Sequence, residues 1–191
     1  MAMPAFPAKS CFDVPVLSGL VDFFNIMTYD FHGPWSNHSG HHAPLYQNPK
    51  DPGLEGSVKG AIDAWLGIAG VKPEQVNIGM AFYGYEFMEC PALWGKYQGK
   101  CRGRNYGTAI KPLLSKAGWT GQWDEEAQSP YLTDGKNILS YDNPVSIANK
   151  IKYALATRGC GGVFMWECSG DHDGTSQDLL EQMHKSLVEI E

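Results

Sequence analysis

Leu20-Val-Asp-Phe-Phe-Asn-Ile-Met-Thr-Tyr-Asp-Phe-His32 is the stretch on which the fold turns. Val21 to Thr28 is mostly apolar and reads as a strand covered on both faces, the pattern of a parallel sheet. That strand delivers Tyr29 and Asp30 to its C-terminal end. In a parallel α/β barrel, the polar side chains that do chemistry gather at that end.

Two more strands are expected, Val76 to Phe82 and Gly161 to Trp166, spaced too widely for hairpins. Between the first two, Val58, Ala61, Ile62, Trp65 and Leu66 recur at helical spacing over Ser57 to Ile68, with Ser57 as the cap. Ser146 to Arg158 repeats the pattern until Gly159 stops it, and Thr175 to Ile190 forms a last amphipathic helix. Strand alternating with helix predicts a parallel sheet. Residues 87–140 break the rhythm, with Gly95, Gly99, Gly103, Gly107, Gly118 and Gly121 set among Trp94, Tyr97, Trp119, Trp123 and Tyr131. Short strands between glycine turns are expected there, a small antiparallel unit inserted into a framework of residues 1–86 and 141–191.

Composition excludes several functions. A net charge of −6 with scattered Lys and Arg repels nucleic acid. No apolar run approaches the ~20 residues needed to cross a membrane. Met1-Ala-Met-Pro-Ala-Phe-Pro7 lacks the basic start and unbroken apolar core of a signal peptide. Aromatic content of 12% is high, and amphipathic rings suit ligands with apolar faces and hydroxyl edges. Of five cysteines, Cys90 and Cys101 enclose a Gly-rich stretch and are a candidate disulfide, and no Cys-x-x-Cys pair suggests zinc. His32, His38, His41 and His42 fit no closed metal site by spacing, so neither metal nor cofactor is expected.

Met27-Thr-Tyr29-Asp30 closing an apolar strand resembles the sixth barrel strand of the family 18 glycoside hydrolases, the chitinases and chitinase-like lectins. Met1-Ala-Met-Pro-Ala5 resembles the end of the family's fifth strand. Gly79-Met-Ala-Phe-Tyr-Gly84 resembles the seventh, and Gly161-Gly-Val-Phe-Met-Trp166 the eighth. Ser140-Tyr-Asp142 is a family-like joint before the last crossover helix. The family's catalytic signature, Asp-x-x-Asp-x-Asp-x-Glu on the fourth strand, is absent from these 191 residues. The resemblance therefore implies the C-terminal half of a (β/α)8 TIM barrel, about strands five to eight, with residues 87–140 resembling the small α+β insertion of some family chitinases. It also implies an extracellular protein.

Family 18 enzymes depart from the two-carboxylate scheme and use the substrate's own N-acetyl group as nucleophile. The resemblance gives Tyr29 the role of holding that acetyl carbonyl, and Asp30 that of bonding sugar hydroxyls near the cleaved linkage. Trp166 would floor the central subsite, Met27 and Met80 would wall the acetyl pocket, and Tyr83, Trp35 and Met3 complete the binding set. Many family members carry arginine where Tyr85 stands here. Asp30 with Glu167 is the one alternative carboxylate pair, although Glu167 reads as loop-facing. The expected ligand is chitin or an N-acetylglucosamine oligosaccharide, hydrolysed only if a glutamate is supplied from elsewhere. The alternative is a non-catalytic, lectin-like half-domain. Open strand edges predict self-association or pairing with an N-terminal barrel half.

Overall fold

Four parallel strands form the first layer of the computed structural model, which describes residues 1–6, 12–53 and 56–190. They are β1 (Ala2–Pro4), β2 (Phe24–Met27), β3 (Val76–Ala81) and β9 (Gly162–Trp166), side by side in that order. Between them run α1 (Val14–Ser18), α2 (Val58–Leu66) and α3 (Pro144–Ile151), and α4 (Asp178–Val188) follows. Each helix start has a local cause. Ser57 Oγ accepts the Gly60 N–H at 3.1 Å to cap α2. Asn143 and Ser146 bond reciprocally to open α3, with Pro144 at its first position. The Asp171 carboxylate accepts the N–H groups of Leu179 and Leu180 at the head of α4. That helix starts later than expected, because Asp173 and Ser176 close a tight turn ahead of it.

Register decides which side chains share a face. Met3, Ile26, Ile78 and Val163 lie in one row, and Met80 pairs with Met165. This face packs on Ile62, Trp65, Ile147, Ile151 and Leu179 in the main apolar core. Trp65 is fully buried and donates Nε1–H to the carbonyls of Pro4 and Ala5, both at 3.1 Å, locking α2 over β1. The opposite face carries Asn25, Met27, Asn77, Gly79, Phe164 and Trp166. Met3 and Met80 thus stand on the helix side with 0% exposure, across the sheet from Met27, and the expected methionine wall is not assembled.

The second layer is an antiparallel sheet: β4 (Tyr83–Phe87), β5 (Cys101–Asn105), β6 (Thr120–Asp124), β7 (Ser129–Thr133) and β8 (Ile138–Ser140), in the spatial order β5-β4-β8-β7-β6. Two helical turns over 106–115 separate β5 from β6. Cys90 and Cys101 are free thiols rather than a disulfide. Cys90 Sγ turns to the carbonyls of Ala92 (3.2 Å) and Gly95 (3.5 Å), whereas Cys101 pairs in register with Phe87. The two sheets are stitched through Lys150 of α3, whose ammonium reaches both oxygens of Asp142 at 2.6 and 2.7 Å, just beyond β8. Both side chains are fully buried.

Candidate functional site

Tyr29 and Asp30 follow β2 directly, at the C-terminal end of the parallel sheet. Thr28 anchors that end: its hydroxyl donates to the Gly79 carbonyl at 2.8 Å and accepts the Gly79 N–H at 2.9 Å. Gly79 has to be glycine, since a Cβ there would stand 2.6 Å from the Tyr29 ring and 2.9 Å from Phe164. The Tyr29 ring meets Tyr83 and Phe164 edge-on, with centroids at 6.1 and 6.3 Å. Burial, and secondly the charge of Asp30, push its hydroxyl up to about 12, so at neutral pH it remains a proton donor.

Asp30 adopts φ 63°, a left-handed conformation that few non-glycine residues take and that Asp tolerates best with Asn. There the chain leaves the sheet and the carboxylate turns to β4. Tyr83 donates its hydroxyl to Asp30 Oδ1 at 2.5 Å. Burial, then this bond, raises the Tyr83 hydroxyl far above its ordinary value. Tyr83 and Tyr85 stand edge-on at 5.7 Å, and Trp35 caps Tyr85 at 5.6 Å. His42 packs behind both tyrosines, 5.1 Å from Tyr83 and 5.6 Å from Tyr85, and burial lowers its pKa to about 3.

A cavity of about 260 Å³ opens over these groups. Asp30, Tyr83, Tyr85, Arg104, Trp166 and Glu167 are among its lining residues. Trp166 and Trp35 hold their rings out of the core, at 59% and 56% exposure. The peptide bond between Trp166 and Glu167 is cis, and Glu167 accepts the Ser169 hydroxyl. Of the residues expected from sequence, Asp30, Tyr83 and Trp166 meet at the cavity. Tyr29 lies directly behind Tyr83, Trp35 flanks Tyr85, and Met27 is exposed one strand away. Met3 and Met80 are elsewhere, in the core.

Arg104 was not foreseen. It faces the cavity from β5, paired with Glu86 at 2.8 Å, and lines it together with Tyr85. The register that sets Arg104 opposite Gly84 was the missing information.

The profile of the glycosyl hydrolases family 18 matches residues 1–171. The chain belongs to glycoside hydrolase family 18. Chitinase 1 of Aphanocladium album is 33% identical over 175 residues, covering 90% of this chain and 41% of the relative. Chitinase A1 of Niallia circulans is 31% identical, covering 86% of this chain and 26% of the relative. A solved family 18 N-acetylglucosaminidase from Paenibacillus barengoltzii superposes with a TM-score of 0.85 at 29% identity, over 97% of this chain and 55% of that one. The chain therefore spans less than half the length of these two curated relatives and little more than half of the solved one. Membership places it in a TIM-barrel family, to which the four parallel strands and their helices conform.

Proposed function

We propose that this chain is the C-terminal half of a chitinase-type (β/α)8 barrel, about strands five to eight. In this reading residues 87–140 are inserted between the barrel segments 1–86 and 141–191. The half-barrel holds β-1,4-linked N-acetylglucosamine chains and does not cleave them alone. Tyr29 orients the acetamido carbonyl, Asp30 and Tyr83 bond hydroxyls beside the reacting linkage, and Trp166 supports the central ring. Met27 and Trp35 extend the wall. An extracellular site of action follows from the same resemblance.

One observation carries the reading: the groups that grip the sugar are present, and the Asp-x-x-Asp-x-Asp-x-Glu that would protonate the leaving oxygen is not. General acid catalysis is worth roughly 100- to 10,000-fold, so pure chain should leave a chromogenic chitobioside essentially intact. Turnover within about tenfold of an ordinary chitinase would refute the proposal. The edges of β1 and β9, unpaired among the described residues, and the exposed Met27 and Trp166 side chains on the face between them fit pairing with a second chain or with a complementary half. Adding an N-terminal half that carries the glutamate should then restore hydrolysis.

A further inference from the structure

A second groove, of about 600 Å³, opens beside the antiparallel sheet and shares no lining residue with the cavity over Asp30. Its volume falls within the roughly 300–1,000 Å³ of small-molecule sites. Trp94, from the chain between β4 and β5, and Tyr131, of β7, are half-buried rings in its wall. Both stand edge-on to the fully buried His41 ring, at 5.3 and 5.9 Å, so one imidazole sets the position of each.

The turn carrying Trp94 is pinned from the neighbouring loop. Ser39 donates its hydroxyl to the Ala92 carbonyl at 3.2 Å and its N–H to the Gly95 carbonyl at 2.8 Å. The Gly95 N–H closes the turn on the Ala92 carbonyl at 3.0 Å. Asp124, also in the groove wall, is held as firmly. Its Oδ2 accepts from His41 Nε2 at 3.1 Å and Asn48 Nδ2 at 2.7 Å, and its Oδ1 accepts the N–H groups of Glu126 and Ala127. Two rings and a polar edge are thus set in place before a ligand arrives, which lowers the entropy cost of binding one.

Charge narrows the ligand class. Lys50 stands in the groove against the carboxylates of Asp124, Glu125 and Glu126, so anions are repelled. The Trp94 indole N–H is a donor, and the Tyr131 hydroxyl both donates and accepts. Burial, then the Asp124 charge, raises the Tyr131 hydroxyl above its ordinary value, so it keeps its proton at neutral pH. Aromatic faces beside uncharged hydrogen-bonding groups suit a neutral sugar, which has apolar faces and a hydroxyl edge. We propose that this groove binds a second segment of β-1,4-linked N-acetylglucosamine chain, with Trp94 as platform and Tyr131 as polar contact. The choice of sugar rests on the function proposed above, whereas the groove stands apart from the cavity that function uses. Two weak grips on one polymer reinforce each other through effective concentration.

Indole N–H signals in a nitrogen-15 correlated spectrum of the full chain read the two sites separately. Trp94→Phe and Trp166→Ala identify their signals by loss from the set of six tryptophans. Titration with N-acetylglucosamine tetramer should shift the Trp94 signal along its own saturable curve. Trp166→Ala should leave that curve unchanged. Tyr131→Phe, which keeps the ring, should weaken it roughly three- to tenfold, the loss of one hydrogen bond; the remaining signals verify the fold. A Trp94 signal that stays still, a movement that disappears in Trp166→Ala, or a curve untouched by Tyr131→Phe overturns the second groove. Movement at Trp166 alone overturns the groove and leaves the cavity reading standing. Movement at Trp94 alone supports the groove and removes the cavity reading.

Discussion

Tyr83 of β4 donates its hydroxyl to Oδ1 of Asp30 at the end of β2, across 2.5 Å. The bond joins the antiparallel sheet to the parallel one at the mouth of the cavity, and it fixes a carboxylate that is otherwise exposed. Removing it tests what holds Asp30 in the pose proposed above to bond sugar hydroxyls. Water replaces the lost hydroxyl at an exposed oxygen, so Tyr83→Phe should lower unfolding free energy by no more than about 1 kcal/mol. Affinity for an N-acetylglucosamine tetramer should fall about tenfold, by roughly 1.4 kcal/mol. Equal losses in denaturant unfolding and in calorimetry would reduce the bond to a purely structural one.

The Lys150–Asp142 pair makes the opposite prediction. Burial pulls the Lys150 ammonium pKa down, and the Asp142 charge opposes that pull. Asp142→Asn leaves a buried cation without its counter-charge and should cost about 3–5 kcal/mol in urea unfolding. Replacing both partners with Lys150→Met and Asp142→Leu should recover most of that loss. A double variant as unstable as the single one would show that the pair stabilises by attraction rather than by mutual compensation.

Stability should also fall with acid. Burial holds His42 neutral down to about pH 3, whereas the unfolded chain protonates it near pH 6.5. Between those values the unfolded state binds the extra proton, so stability declines as pH drops through that window. For Asp124, burial opposes the shift, but bonds from His41, the Ala127 N–H and Asn48 outweigh it and lower the carboxyl to about 2. Its contribution is lost on further descent, from the usual carboxylate range toward about 2. Denaturant unfolding between about pH 7 and about pH 4 should show a slope on the order of 1 kcal/mol per unit. His42→Gln should flatten that slope, and an unchanged slope would exclude His42 as its source.

The parallel strands were legible in the sequence because short, continuous apolar runs bounded by turn residues suit a strand buried on both faces. The same continuity hid their facing. A strand buried on both sides has no alternation to show which side chains look toward helices, so Met3 and Met80 were expected in the cleft and lie in the core. Tyr29, Asp30 and Trp166 were legible because each closes a strand, and strand ends are fixed by the fold. Arg104 was not, since its place depends on antiparallel register. The third helix is shorter than its apolar spacing implied, because the α-helical hydrogen bonds end at Ile151 and the chain continues in wider π-type turns to Thr157.

Assembly follows from the sheet edges. At micromolar concentration the chain should sediment as a dimer or larger species, because among the described residues β1 and β9 each pair on one side only and Met27 and Trp166 lie exposed on the face between them. A compact monomer that unfolds cooperatively would contradict this expectation.

If the chain grips the sugar without cutting it, as proposed, one titration addresses both halves. N-acetylglucosamine tetramer is titrated calorimetrically into the pure chain, and the recovered sugar is examined by mass spectrometry. Weak binding and intact tetramer are expected. Trp166→Ala should lose roughly 1–3 kcal/mol of affinity while keeping its stability, and Trp65→Ala should lose about 3–5 kcal/mol of stability through the core. Cleaved tetramer, or affinity unchanged in Trp166→Ala, would contradict it.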